Sequence, residues 1–340
     1  MKAKRLRVIA ALALLSSLLS GCAPVQSRKP VADPALNRLQ GTIIIFHAGS
    51  LIVPLEQLTR AFKTRHPGVA FETEAAGSLV SARKVSELGR QADLVLVADY
   101  TVIDNLLIPT FADWNIQFAS NEMVIAFTDR SRYADEITAQ NWYEIITRSD
   151  VVYGHSDPNA DPCGYRTLLV WQLAEEYYRL PGLYSRLREH CPPENIRPKE
   201  TDLIPLLQSG DMDYAFEYRS VAVQHGLKFV ELPDEINLSR AGDADFYRRA
   251  SVELTGPEGV TITQEGAPIV YGLTIPENAP RPELAFEFLK FLLGPEGQEI
   301  MKATGHSPLV PAVSEQVDAL PAGLRDLVVA ATDGRQGTDR

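Results

Sequence analysis

An α/β fold with two sheets is the architecture that this 340-residue chain predicts, on three observations. Short apolar strands alternate with amphipathic helical stretches from Thr42 onward. A second group of such units follows residue 120 and needs a sheet of its own. A late apolar strand, Ile269 to Ile275, has no partner unless it returns to the first sheet.

The elements follow in order. Thr42 to Phe46 reads as a strand buried on both faces. Ala48-Gly49-Ser50 opens a helical pattern with Leu51, Leu55, Leu58, Ala61 and Phe62, which the breaker His66-Pro67-Gly68 stops. Val69 to Glu74 is a strand, and Gly77-Ser78 opens a second helix with Val80, Val85 and Leu88 on one face. Asp93 to Ala98 completes a β-α-β-α-β series, which implies parallel strands. The second group comprises a strand at Asn121 to Phe127, a helix at Asn141 to Arg148 and a strand at Val151 to Tyr153. A long helix at Cys163 to Tyr178, a helical turn at Leu203 to Gln208 and a strand at Asp213 to Phe216 follow. Pro282 to Gly305 is helical with a break near Gly294-Pro295, and Leu320 to Ala331 suggests a last helix. Two crossings, at Gln117–Phe127 and Ile269–Ile275, would leave a cleft between domains, a usual place for a ligand. The alternative is two serial domains joined once.

The N-terminus carries a separate signal. A basic stretch ends at Arg7, and a largely apolar run of 12 residues follows from Val8 to Leu19, too short to span a bilayer. Residues 1–21 are therefore expected to be a secretory signal. Leu19-Ser20-Gly21-Cys22 resembles a bacterial lipobox, which would lipidate Cys22 and anchor the protein outside the cytoplasm. Residues 22–39 read as a tether. Cys163 and Cys191 remain as two thiols or one disulfide, a choice the sequence leaves open.

The chain is 45% hydrophobic and 23% charged, with a net charge of −11. The first 21 residues hold four positive charges and no negative ones, so a chain without them carries −15. Nucleic acid is a poor partner for such a surface. Even so, the pattern favours a small anion. Gly49-Ser50, Gly77-Ser78 and Asp161-Pro162-Cys163 each set a helix start after a strand, and strand ends in such sheets face one crevice. Helix N-termini present unpaired N–H groups and partial positive charge, and bind anions without lysine or arginine. The plain alternative for each serine is an N-cap.

An ordered set of motifs carries a resemblance. Phe46-His47-Ala48-Gly49-Ser50-Leu51, Ala76-Gly77-Ser78, Asp99-Tyr100, Asn121-Glu122 and Asp161-Pro162-Cys163-Gly164-Tyr165-Arg166 come first. Phe216 to Ala222, Leu232 to Leu238 and Val270 to Pro276 follow. Together they resemble the archaeal-type tungstate/molybdate-binding proteins of ABC transporters over about residues 42–310. The resemblance implies a two-domain, hinged periplasmic-binding-protein-like (type II) fold with two mixed sheets. Its expected bounds are 40–118 with 270–335 for the first domain and 119–269 for the second. It also implies an oxyanion held in the cleft by Gly49, Ser50, Ser78 and the start Asp161-Pro162-Cys163. Asp161 and Glu217 would complete a six-coordinate metal, with Glu235 a weaker candidate. Tungsten(VI) and molybdenum(VI) accept added oxygen ligands where sulfur does not, so the same carboxylates would oppose sulfate. The expected partners are the oxyanion, an ABC permease and the membrane; no cofactor, no enzyme activity and a monomer are expected. The chain departs from the family in a shorter connection, Pro192 to Asp202.

Rival readings are a sulfate-like oxyanion binder, a ferric-iron binder using Tyr177-Tyr178, and a hydrolase built on His47 and Ser50. Apart from the resemblance, Asp161 would be an N-cap and Glu217 a partner of Arg219.

Overall fold

Alternation of apolar runs and helical stretches produces two mixed sheets in a computed structural model that describes residues 39–255 and 259–331. The larger sheet uses β1 (Gly41–Ala48), β2 (Val69–Ala76), β3 (Leu94–Val97) and β4 (Ile116–Ser120) from the first part of the chain. The smaller sheet is built from β5 (Met123–Phe127), β6 (Tyr153–Ser156), β7 (Ile196–Arg197), β8 (Tyr214–Tyr218) and β9 (Lys228–Glu231). A hairpin of β10 (Ser251–Thr255) and β11 (Thr261–Glu265) follows. The chain then returns with β12 (Val270–Thr274), β13 (Ser307–Ser314) and β14 (Val328–Ala330). The strand orders are β14-β13-β4-β12-β3-β1-β2 and β7-β6-β8-β5-β9.

Parallel pairing sets the edge that matters. β1 lies between β2 and β3, parallel to both, and its register aligns Ala48 with Ala76. Residues two beyond each strand therefore emerge side by side, about 4.8 Å apart in strand spacing. In the smaller sheet β6 and β8 are parallel, so their C-terminal ends also share an edge. β12 inserts antiparallel between β3 and β4, which explains why Ile269–Ile275 is mostly apolar. The two passages between sheets touch, since Asn121 N–H donates to the Ile269 carbonyl at 3.4 Å.

Burial follows the apolar pattern. Leu55, Leu58 and Phe62 of the helix Ile52–Arg65 pack on the larger sheet. Phe62 meets Phe288 edge-on at 5.3 Å, joining that helix to the helix Pro282–Leu293. The smaller sheet is covered by the helix Pro162–Tyr177, whose Trp171 meets Phe216 of β8 at 5.4 Å.

Several boundaries differ from expectation. Asn141–Arg148 forms only the short helix Trp142–Ile145. Leu320–Ala331 is not one helix: a single turn, Ala322–Arg325, gives way to β14, which pairs with β13. Leu320, Leu324 and Val328 keep helical spacing, but edge pairing offers Val328–Ala330 a ladder of hydrogen bonds. Gly294 and Pro295 do break the late helix, into Pro282–Leu293 and Pro295–Ala303. Cys163 and Cys191 are both free and buried. The Cys163 thiol faces the Phe216 carbonyl and the Cys191 thiol the Tyr153 carbonyl. The signal, Cys22 and most of the tether lie outside the described residues, among which no helix is long and apolar enough to cross a membrane.

Candidate functional site

The strand edges of the two sheets bring seven of the eight expected residues into one buried region, all but Glu235. After β1 the chain makes a tight turn, Gly49–Leu51, and enters the helix Ile52–Arg65. Ser50 is fully buried, and its Oγ accepts a hydrogen bond from the Tyr271 hydroxyl at 2.9 Å. After β2, Gly77 caps the helix Ser78–Ser86. Ser78 is also fully buried, and its Oγ accepts from the Ala98 N–H at 2.9 Å. A serine hydroxyl that already accepts keeps its own proton to donate. Both serines are thus arranged as donors.

The two preceding glycines are points of close approach. A Cβ on Gly77 would lie 2.2 Å from the Ala160 carbonyl oxygen and 3.1 Å from Asp161 Cβ. A Cβ on Gly49 would lie 2.8 Å from both carboxylate oxygens of Glu200. Only glycine lets the loops from the smaller sheet come this near.

Asp161 is the N-cap of the helix Pro162–Tyr177, with Pro162 in the first turn. Its Oδ1 accepts from Cys163 N–H at 3.3 Å and its Oδ2 from Glu200 N–H at 2.9 Å. Glu217, near the end of β8, is fully buried, and neither of its carboxylate oxygens has a hydrogen-bond partner. It does not pair with Arg219, which binds Glu122 at 3.2 Å instead. Burial raises the pKa of Glu217 well above the ordinary carboxylate range, and the charges of Glu200 and Asp161 add to it. Asp161 is raised chiefly by burial, and Glu200 by burial and then by the Asp161 charge. Cys163 is raised by burial, then by Glu217. These mutual effects place Asp161, Glu200, Glu217 and Cys163 in one low-dielectric neighbourhood.

Glu235 does not join them. It is exposed, and its charge acts on Tyr178, whose pKa rises to about 12 mainly through burial. Tyr178 closes the helix that Asp161 opens, about 24 Å away at 1.5 Å per residue over 16 residues. Asp234 pairs with Arg240 at 2.9 Å on the exposed side of this loop.

Three contributors were not singled out in the sequence. Glu200, in the short connection that departs from the family pattern, is fully buried, with its carboxyl against Asp161 and the Gly49–Ser50 turn. Tyr271 links Ser50 to Asn121, whose Nδ2 donates to the Tyr271 oxygen at 2.9 Å and to Ser220 Oγ at 2.7 Å. Arg166 crosses between the sheets: its guanidinium donates to the Ala98 carbonyl at 2.7 Å and to the Tyr218 hydroxyl at 2.8 Å, and pairs with Asp99 at 3.0 Å. Tyr165 adds a 2.6 Å hydrogen bond to the same carboxylate. No local pattern marks Glu200, and Tyr271 lies in the Val270–Pro276 motif without any role there assigned to it. Arg166 had a signal, since a charge one turn inside an apolar helix demands a buried partner.

The hydrolase pairing finds no geometry here. His47 Nδ1 pairs with the Ala48 carbonyl at 2.8 Å, and Ser50 is engaged by Tyr271. Burial lowers the His47 pKa to about 4. The Tyr177-Tyr178 pair lies at the end of its helix remote from Asp161. Among the described residues, no group of three or more His, Cys, Asp or Glu side chains is arranged to hold a metal cation.

Comparison with known proteins agrees with this architecture. A family profile described as bacterial extracellular solute-binding protein matches residues 43–307. A solute-binding protein of Petrotoga mobilis is 53% identical over 291 residues, covering 85% of this chain and 91% of its own. A molybdate/tungstate-binding protein of Pyrococcus abyssi is 47% identical over 298 residues, covering 80% of this chain and 86% of its own. Among solved structures, the periplasmic molybdate-binding protein of Azotobacter vinelandii shares the fold. Its TM-score is 0.56 at 17% identity, covering 78% of this chain and 98% of that one.

Proposed function

The chain belongs to the bacterial extracellular solute-binding proteins, and we propose that it captures tungstate or molybdate between its two sheets for delivery to an ABC importer. In this reading Ser50 and Ser78 donate hydroxyl hydrogen bonds, and the Gly49–Ser50 turn and the Cys163 N–H at the start of the long helix donate backbone amides, Pro162 having no N–H to give. Asp161 and Glu217 bond to the metal. Residues 40–118 with 270–335 form one closing body and 119–269 the other, and Cys22 carries the lipid that holds the protein outside the cytoplasm.

One observation carries the reading. Among the described residues, Glu217 is a fully buried carboxyl with no well-formed hydrogen bond and no ion pair. Such a group costs stability and calls for an explanation. A hexavalent metal that accepts oxygen ligands supplies one; sulfate does not. The similarity to the Pyrococcus abyssi protein supports the same ligand class.

The test is calorimetric titration of the delipidated protein with tungstate, molybdate, sulfate, phosphate and ferric citrate. Tight binding of the first two alone is expected. Preference for sulfate or ferric citrate would refute the assignment.

A further inference from the structure

Resting on that reading, we infer that Arg166 is a positioning residue for the anion site, and that it acts on Ser78 through Ala98. Ala98 follows β3 in the larger sheet and is fully buried. Its N–H donates to Ser78 Oγ at 2.9 Å, which fixes the direction in which that hydroxyl can offer its own proton. Its carbonyl accepts from the Arg166 guanidinium at 2.7 Å, and Arg166 belongs to the helix Pro162–Tyr177 on the smaller sheet. One residue thus takes the arginine of the other sheet on its carbonyl and orients the anion-binding serine with its amide.

The hold is stiff. Arg166 is buried, and its planar guanidinium engages the Ala98 carbonyl, the Tyr218 hydroxyl and the Asp99 carboxylate together. Asp99, next in the chain to Ala98, is fixed from both sides. Its Oδ1 accepts from the Thr101 N–H at 3.0 Å and the Thr101 hydroxyl at 2.8 Å, and its Oδ2 accepts from the Tyr165 hydroxyl at 2.6 Å. The helix that carries Arg166 is capped by Asp161, about 7.5 Å back along the axis at 1.5 Å per residue. A single rigid element therefore presents Asp161 to the metal and grips the residue behind Ser78. The sheets also approach closely at this place, since a Cβ on Gly77 would lie 2.2 Å from the Ala160 carbonyl oxygen. Ser50 is oriented by a separate relay, through Tyr271 and Asn121. The Ser78 donor is thus complete only when the long helix is seated against the end of β3, and the Ser50 donor does not share that dependence.

Double-mutant cycles of tungstate affinity, measured by calorimetry, test this. Arg166→Lys keeps a positive charge beside Asp99 but loses the planar fork that reaches all three acceptors at once. It is expected to weaken tungstate about fivefold, the worth of one ordinary hydrogen bond, in the wild-type and Ser50→Ala backgrounds. In Ser78→Ala, where no hydroxyl is left to orient, the same change is expected to cost about twofold or less. A merely structural role would cost the same factor in all three backgrounds, and that outcome overturns the inference. So does unchanged binding by Arg166→Lys in the wild-type background. If Arg166→Lys does not fold, Tyr165→Phe, which removes one anchor of Asp99 and leaves every charge in place, goes through the same cycle under the same rule. A wild type that binds tungstate while the cycles are additive removes the positioning role alone. A wild type that binds neither tungstate nor molybdate removes the functional reading and this inference with it.

Discussion

The Tyr271 hydroxyl donates to Ser50 Oγ at 2.9 Å and is itself held by Asn121 Nδ2 at the same distance. Tyr271 lies on β12, the strand that returns from the smaller sheet, and Asn121 lies where the chain leaves for it. Both passages between sheets therefore converge on the hydroxyl that would greet an anion. Because Ser50 Oγ accepts in this relay, its own proton remains available to donate. Tyr271→Phe should weaken tungstate binding about fivefold, the worth of one ordinary hydrogen bond. Ser50→Ala should cost more, about 10- to 150-fold, because that bond goes to a charged group. Calorimetry on the two variants checks the order.

Arg166 and Asp99 form a buried ion pair that joins the long helix of the smaller sheet to the end of β3. Removing one member strands the other. Arg166→Met is expected to destabilise the protein by about 3–5 kcal/mol, read from denaturant unfolding. A loss below about 1 kcal/mol would show that the pair is solvated in solution.

Glu217 gives a pH signature. Its folded pKa lies above the unfolded value because of burial and the nearby Glu200 and Asp161 charges. Its contribution to stability is thus fully present below the unfolded pKa, near 4.3, and is lost as pH rises through the folded value. Glu217→Gln removes the penalty. Without added anion, the variant should be more stable than wild type at pH 8 by about 1–3 kcal/mol, with the difference shrinking toward pH 4. Thermal unfolding across that range checks the sign.

Much of this arrangement could be read from sequence because it is local. Ser50, Ser78 and Asp161 each sit where a strand meets a helix start, and an apolar run followed by a breaker shows such places directly. The hairpin of β10 and β11 also had a signal, since Ser251–Thr255 alternates exposed and buried residues, but apolar runs drew attention elsewhere. Glu200 had none, and Tyr271 lay in the Val270–Pro276 motif with no role assigned to it. Glu200 is buried only because Gly49 admits it, and the two are 151 positions apart in sequence. Glu235 was misplaced because its motif says nothing about which side of the sheet its loop takes. Val328–Ala330 looks helical by spacing, and pairing with β13 overrides that preference.

The central claim is that carboxylate oxygens enter the coordination shell of the captured metal. Tungsten L3-edge X-ray absorption of the tungstate-loaded protein reads that shell. The account predicts an expanded, octahedral set of oxygens that reverts toward tetrahedral in Glu217→Gln. An undistorted tetrahedral tungstate in the wild-type protein would contradict it.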